Sequence, residues 1–518
     1  MEQTLEHRAE VKNGIRRAVF VALAILIELI WLYVQLGILS RHFSWIPGLV
    51  RVAALFLVLG IYGRHMNAAA KMPWIMLISA APLLGVPLYL MLGLPGSTER
   101  MRERYRRIDA RIFPQLTQKD EDLRTLMRRD VGVANQFRYL RDYAGYPLCR
   151  NTDIQYYRSA AEAFEAQLEA IRGARRFIFL EYHAIEERQA FRRLHAALRE
   201  RAAAGVEVRL FYDDVGSLVF IDHDFIVRMQ ADGIRCRVFN PVLPVLSLFM
   251  NHRDHRKITV IDGELGFTGG YNLADEYFNL THPYGHWYDT GVRLKGDAVR
   301  NLTAIFLENW NAIRGDDLDD RDPGRYLTAP AYQAKEQGWC LPYADSPLGE
   351  ERTGENVYMN ILNSAKRYVW FTTPYLIITD ELSRAMTLAA KRGVDVRIVT
   401  PGIPDKKLVY QATRSYYNGL ARWGVRLFEY TPGFCHAKQC VSDDSIAVCG
   451  TINLDYRSLY HHFENAVLFY DCAAVTDMKQ EFEQLFPRCR EVTEHYLSGR
   501  SHVLRIGHCL LRLIAPLL

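Results

Sequence analysis

Two stretches of this chain repeat one polar grammar, and a fold that accommodates one must accommodate both. The first is Asn251-His252-Arg253-Asp254-His255-Arg256-Lys257-Ile258-Thr259-Val260-Ile261-Asp262, closing on Gly269-Gly270-Tyr271-Asn272. Near the C-terminus, Cys435-His436-Ala437-Lys438 runs through Gln439-Cys440-Val441-Ser442 to Asp443, and then to Gly450-Thr451-Ile452-Asn453. Each copy reads H-x-K-x4-D, then small residues and an Asn. Two histidines, two lysines and two asparagines at matched spacing point to one site built from two halves.

The flanks repeat as well. Ala174-Arg175-Arg176-Phe177-Ile178-Phe179-Leu180-Glu181-Tyr182, a helical stretch and Gly205-Val206-Glu207-Val208-Arg209-Leu210 are matched by Ala365-Lys366-Arg367-Tyr368-Val369-Trp370-Phe371, the helical stretch 380–392 and Gly393-Val394-Asp395-Val396-Arg397-Ile398. Strand, helix, strand, then one motif, twice over, is a duplication with α/β layering. The expected fold is α/β: two duplicated domains forming one pseudo-twofold active site. Strand alternation puts the His and Lys of each motif on one face, with Arg256 or Ala437 facing elsewhere. Asp262 and Asp443 fall at the turn beyond the strand. Gly269-Gly270 and Gly450 are read as tight turns that carry Asn272 and Asn453 to the same spot.

The start of the chain is of another kind. Ala18 to Ser40 is almost continuously apolar behind Lys12, Arg16 and Arg17, and further apolar stretches run from Trp45 to Gly63 and from Pro73 to Gly93. These lengths and flanks suit membrane helices, and prolines make the third stretch kinked or re-entrant. Arg100, Arg102, Arg104, Arg106, Arg107 and Arg111 follow, a basic cluster that assigns the remainder to the cytoplasmic side. The expected divisions are a membrane region (1–95), a basic linker (96–150) and two halves (151–325 and 326–518). Two further apolar pieces are read either as lipid contacts or as packing against the soluble part: the loop 242–250, and the stretch from Val503 to Leu518, which has the pattern of an amphipathic interfacial helix.

A net charge of +5, with the positives gathered beside the apolar segments, favours a membrane surface over nucleic acid. Nine scattered cysteines without a C-x-x-C pair indicate neither a disulfide framework nor a zinc ribbon. Cys435, His436 and Cys440 lack a fourth metal ligand, so no metal and no cofactor is expected.

Paired His-Lys units suit an anionic phosphodiester. Neutral imidazole attacks phosphorus, protonated imidazole gives a proton to the leaving alkoxide, and lysine neutralises non-bridging oxygens. One histidine cannot do both at once, so the second copy supplies the acid. Opposite protonation states need a tuning partner on each ring, and Asp289 and Glu464, each after the Asn turn, are the carboxylates available.

These motifs, together with Lys71-Met72-Pro73-Trp74-Ile75, Phe179-Leu180-Glu181-Tyr182, Phe239-Asn240-Pro241, Thr373-Pro374-Tyr375 and Gly450-Thr451-Ile452-Asn453-Leu454-Asp455-Tyr456-Arg457-Ser458, resemble the phospholipase D superfamily, and within it the bacterial cardiolipin synthases. The resemblance covers nearly the whole chain. It implies metal-free transfer of a phosphatidyl group from one phosphatidylglycerol to another, releasing glycerol, at the bacterial inner membrane by a multi-pass protein. His255 and His436 become the nucleophile and acid, with His255 favoured as the attacking residue. Lys257, Lys438, Asn272 and Asn453 hold phosphate oxygens, and Asp262 and Asp443 complete the motif, either in catalysis or by orienting the strand end through hydrogen bonds. A phospholipase D, a phosphatidylserine synthase and, more distantly, a nuclease of the same superfamily are the alternatives. The oligomeric state stays open.

Overall fold

The computed structural model describes residues 42–64, 68–90, 96–116, 118–222, 224–241, 251–313, 322–329 and 331–497, with isolated positions at 23, 30, 34, 37, 38 and 512. Three expectations therefore lie outside the described residues: most of the first apolar stretch, the loop 242–250, and the C-terminal amphipathic segment.

Helix Ile46–Gly63 has 18 residues and a mean hydropathy of 1.9, with 11% of it buried; among the described residues it is the one helix long and apolar enough to cross a membrane. Helix Ala68–Ala80 follows, and the chain breaks at Ala81 before helix Pro82–Leu88, because Pro82 cannot continue a helical hydrogen-bond ladder. Gly85 is required by the bend, since a Cβ there would stand 2.7 Å from the Ile78 Cα. Ala54, Ile61, Ile78, Val86 and Tyr89 close a small apolar core among the three.

Residues 96–150 form helices Gly96–Ile112, Asp120–Arg129 and Val131–Ala144. Arg100, Arg106, Arg107 and Arg111 are exposed, whereas Tyr105, Leu126, Phe137 and Leu140 enter the main core. Tyr105 stacks on Phe463 at 5.3 Å. The arginine-rich helix is thus apolar on the side that meets the body and cationic on the other.

The first half contributes β1 (Thr152–Tyr157), β2 (Phe177–Tyr182), β3 (Glu207–Asp213), β4 (Arg235–Phe239), β5 (Arg253–Asp254), β6 (Lys257–Ile261), β7 (Leu265–Gly269), β8 (His286–Tyr288) and β9 (Gly291–Gly296). Seven of them form a sheet in the order β1-β9-β7-β6-β2-β3-β4. The second half contributes β10 (Trp339–Asp345), β11 (Tyr368–Thr372), β12 (Leu376–Ile377), β13 (Asp395–Pro401), β14 (Arg426–Tyr430), β15 (Gly433–Cys435), β16 (Gln439–Ser442), β17 (Ile446–Gly450), β18 (Leu454–Asp455), β19 (His462–Tyr470) and β20 (Cys489–Glu491). Its main sheet runs β10-β19-β17-β16-β11-β13-β14, the same path, and adds β20 at the edge. In both, the β2–β3–β4 or β11–β13–β14 portion is parallel and the remainder antiparallel.

Burial explains why these runs are strands. All six residues of β2 are buried, with Phe177 and Phe179 in the core that continues into helix Val299–Ile313 and the second half. Ile178 and Leu180 point the other way, under helices Ala160–Arg172 and Gln189–Ala203. A period of two with apolar side chains on both faces is a central strand, each such side chain adding about 1.5–3 kcal/mol.

The two short strands matter most for the site. β5 leaves its own half and pairs with the start of β19, and β15 pairs with β8 of the other half. Each motif therefore begins against the opposite half and ends in its own sheet.

Candidate active site

His255 and His436 stand at these crossovers. The expectation of one continuous strand through His and Lys is corrected here: His255 lies between β5 and β6, and His436 to Lys438 lie between β15 and β16. The break is where the backbone changes partners, His255 N–H donating to the Phe463 carbonyl at 2.9 Å and His436 N–H to the Tyr288 carbonyl at 2.8 Å. Both histidines nonetheless face one cavity of about 520 Å³, lined also by Asn272 and Asn453. That volume suits a headgroup-sized ligand.

The carboxylates cross over as well. His255 Nδ1 lies 2.9 and 3.0 Å from the two oxygens of Glu464. His436 Nδ1 lies 2.7 Å from Asp289 Oδ2. Each ring is oriented by an acid from the other half, a pairing that order along the chain left undetermined. An acceptor on Nδ1 holds the proton there and turns Nε2 toward the cavity. Thr451 and Ser458 donate their hydroxyls to Glu464, and Thr290 N–H donates to Asp289 Oδ1 at 2.9 Å.

Lys257 and Lys438 are buried beneath the rings. Lys257 Nζ donates to the His255 carbonyl at 2.6 Å, and Lys438 Nζ reaches the His436 carbonyl and lies 2.8 Å from His436 Nδ1. Burial pushes Lys257 down to about 7 and Lys438 down to about 8, against the pull of Glu464 and Asp289. Burial, then Lys438, pushes His436 down to about 3, while Asp289 opposes the fall. His255 is driven well below the usual imidazole range by burial and by Lys257, His183, His462 and Lys438. Glu464 is raised by burial, with Lys257 and the two hydroxyls drawing it back. Both imidazoles are therefore neutral in the empty site; a bound phosphate anion beside the lysines raises them again.

Asn272 Oδ1 accepts from Ala184 N–H at 3.2 Å and its amide donates to the Tyr277 hydroxyl at 2.8 Å. Asn453 Oδ1 is buried without a hydrogen-bond partner among the described residues. Asp262 and Asp443 are not brought to the cavity. Asp262 accepts the backbone N–H groups of Arg175, Arg176 and Phe177 at 2.7–3.0 Å. Asp443 does the same for Lys366, Arg367 and Tyr368 at 2.6–3.0 Å. The glycines are also corrected: Gly269, Gly270 and Gly450 are absent from the positive-φ residues. They serve close approach, because a Cβ on Gly270 would meet Asp289 Oδ1 at 2.1 Å and one on Gly450 the Asn465 carbonyl at 2.4 Å.

Residues 168–310 and 358–486 match the family described as cardiolipin synthase, PLD-like domain. A cardiolipin synthase of Halalkalibacterium halodurans is 31% identical over 489 residues, which is 93% of this chain and 96% of that one. The chain belongs to the cardiolipin synthase family. An uncharacterised protein of Streptococcus mutans is 37% identical over 461 residues, covering 89% of this chain and 99% of its own. The crystal structure of a phosphatidylserine synthase from Haemophilus influenzae shares the fold, with a TM-score of 0.54 at 16% identity over 73% of this chain and 97% of that one.

In this member of the cardiolipin synthase family the two walls of the cavity differ. Beside His255 stand His183, with ring centroids 5.0 Å apart, and His462 at 5.4 Å, with Arg253 and Arg457 also lining that side. Beside His436 stand Tyr277 at 5.1 Å, Trp287 at 5.3 Å and Phe434 at 5.9 Å. Ligand atoms of His255, His462 and Glu464 lie within 4.8 Å of one another, close enough for a metal ion, but Thr451, Ser458 and the His255 ring already occupy the carboxylate. None of these wall residues was given a role from sequence. The signal was present: Arg253, His462, Trp287 and Phe434 each stand two residues before His255, Glu464, Asp289 and His436, the spacing that shares a strand face. Arg256, by contrast, turns away as expected, to Glu308 at 3.2 Å in the core.

Proposed function

We propose that this enzyme makes cardiolipin by moving a phosphatidyl group between two phosphatidylglycerol molecules at one site shared by the halves 151–325 and 326–518. The observation that carries this reading is the pair of crossed His–carboxylate contacts facing a single cavity, in a member of the cardiolipin synthase family.

In the first step His255 Nε2 attacks phosphorus, the P–O bond to glycerol breaks, and His436 gives its proton to the departing oxygen. In the second, the hydroxyl of another phosphatidylglycerol attacks, its proton passes to His436, and the Nε2–P bond breaks. Lys257, Lys438, Asn272 and Asn453 hold the non-bridging oxygens, and Glu464 and Asp289 fix the rings. The walls support this division of labour. Each imidazole has a lysine beside it; His255 has in addition His183 and His462, which favour a neutral nucleophile, whereas His436 has the direct Asp289 contact, which favours an imidazolium once a phosphate anion offsets Lys438. Asp262 and Asp443 anchor strand ends.

The remaining assignments continue the same reading. Residues 1–95 anchor the chain in the membrane in more than one pass, 96–150 bring basic helices to its anionic surface, and the catalytic part lies in the cytoplasm. The purified enzyme incubated with phosphatidylglycerol alone is expected to release one glycerol per cardiolipin. Phosphatidic acid as the only product overturns the transferase reading. A cysteine placed just beyond residue 95 is expected to resist an impermeant reagent in intact cells; labelling overturns the orientation.

A further inference from the structure

The wall beside His255 carries two arginines besides the lysines, Arg253 paired with Asp213 and Arg457 in the field of Asp455. The reacting phosphate already has Lys257 and Lys438. Arg253 is 3% exposed; its Nε donates to Asp213 at 3.0 Å and its Nη2 to the Asn240 carbonyl at 2.6 Å, yet its buried Nη1 has no hydrogen-bond partner among the described residues. Arg457 lines the same side of the cavity, with its Nε 3.3 Å from His462 Nε2. An unpartnered guanidinium nitrogen out of water is costly, and it becomes favourable when an anion accepts from it. The opposite side is lined by Tyr277 and Trp287, with Phe434 also beside His436; the further cation lining the cavity, Lys406, stands over the Tyr375 ring.

We propose that Arg253 and Arg457 form a second phosphodiester subsite, which holds the phosphate of the acceptor lipid while its terminal hydroxyl reaches the reacting phosphorus. The subsite rests on the phosphatidyltransferase reading, and its chemistry is specific: a donor carries one phosphodiester, and only a phospholipid acceptor brings another. It makes the enzyme select an anionic alcohol over a neutral one. His462, held by Arg457, sits between the subsite and Glu464, so the acceptor phosphate lies one side chain from His255.

The test uses two soluble acceptors with phosphatidylglycerol as donor: diglycerol, and glycerophosphoglycerol, which has a phosphodiester in place of the ether oxygen. Full-length wild type is expected to prefer glycerophosphoglycerol by about tenfold or more in kcat/KM, the worth of charge-assisted hydrogen bonds. Arg457→Gln, and Arg253→Lys, which keeps the charge beside Asp213, are expected to shrink that preference below about threefold. Phe434→Leu on the other wall is expected to retain it. A wild type without preference, or variants that slow both acceptors in proportion, overturns the subsite. A wild type that transfers to neither alcohol defeats the transferase reading itself.

Discussion

The two bridges that lead into the site, Arg253 against His462 and Phe434 against Trp287, occupy the same place in the same backbone ladder. In each, two residues further along stand a histidine whose N–H crosses to the other half and a carboxylate that receives its ring. Duplication has kept the backbone and divided the chemistry. One bridge is cationic and the other aromatic, so two histidines in equivalent frames meet unlike fields. The proposed two-step transfer needs one imidazole neutral and the other protonated; an equivalent pair can share one proton, and unlike surroundings bias which ring holds it.

The largest test of the difference is removal of each histidine. His255→Asn and His436→Asn are both expected to lower kcat by about 10³-fold or more. Only the second should accumulate a covalent phosphatidyl adduct in a trapping experiment. An adduct on His436 in the His255 variant reverses the roles of the walls.

Next come the crossed carboxylates. Asp289→Asn and Glu464→Gln are expected to cost about 100-fold in kcat. The two losses should differ, because in the proposed steps Asp289 braces the ring that gives up its proton, whereas Glu464 braces a ring that keeps its Nδ1 proton and becomes positive when Nε2 bonds to phosphorus. Equal losses would break the claim that the frames do unequal work.

The lysines give a smaller, pH-dependent effect. Their pKa values in the empty site are lowered to about 7 and about 8, so both charged forms are nearly complete only below about pH 6 and are lost as pH rises through 7 and 8. In the free enzyme kcat/KM is expected to fall across that window, about tenfold per pH unit at its steepest, rather than near the ordinary lysine value of about 10.4. Bound phosphate favours the ammonium, so the fall in kcat should lie higher. A kcat/KM profile flat to pH 9 would mean that the lysines are less desolvated than their burial implies.

Much of this was legible before any coordinates. The period of two in Phe177-Ile178-Phe179-Leu180, its echo at Tyr368-Val369-Trp370-Phe371, and the paired motifs already specify two related sheets. What could not be read is the exchange between halves. Nothing local in His286-Trp287-Tyr288-Asp289 reveals that it will lie beside Phe434 rather than beside Arg253, because strand pairing across several hundred residues is decided by tertiary packing. The break at His255 and His436 was hidden for the same reason: alternation describes one ladder, and the chain changes ladders there.

The smallest expected effect on catalysis comes from the two aspartates that end the motifs, where the halves are alike. Asp262 and Asp443 adopt φ of +56° and +52°, a left-handed turn that aspartate tolerates and alanine resists by about 1–2 kcal/mol. Each gathers three successive N–H groups from the loop entering β2 or β11, and part of that loop is exposed, so water can replace some of the lost bonds. Asp262→Ala and Asp443→Ala should therefore each destabilise by about 2–3 kcal/mol, summing strain and unmade hydrogen bonds, and lower Tm by similar amounts. Activity measured well below that Tm should change less than about tenfold, because the cavity lies beyond the opposite end of β6 and β16. A hundredfold loss of kcat without a shift in Tm would return these residues to the catalytic set, and an effect in one half only would extend the asymmetry of the walls to the strand ends.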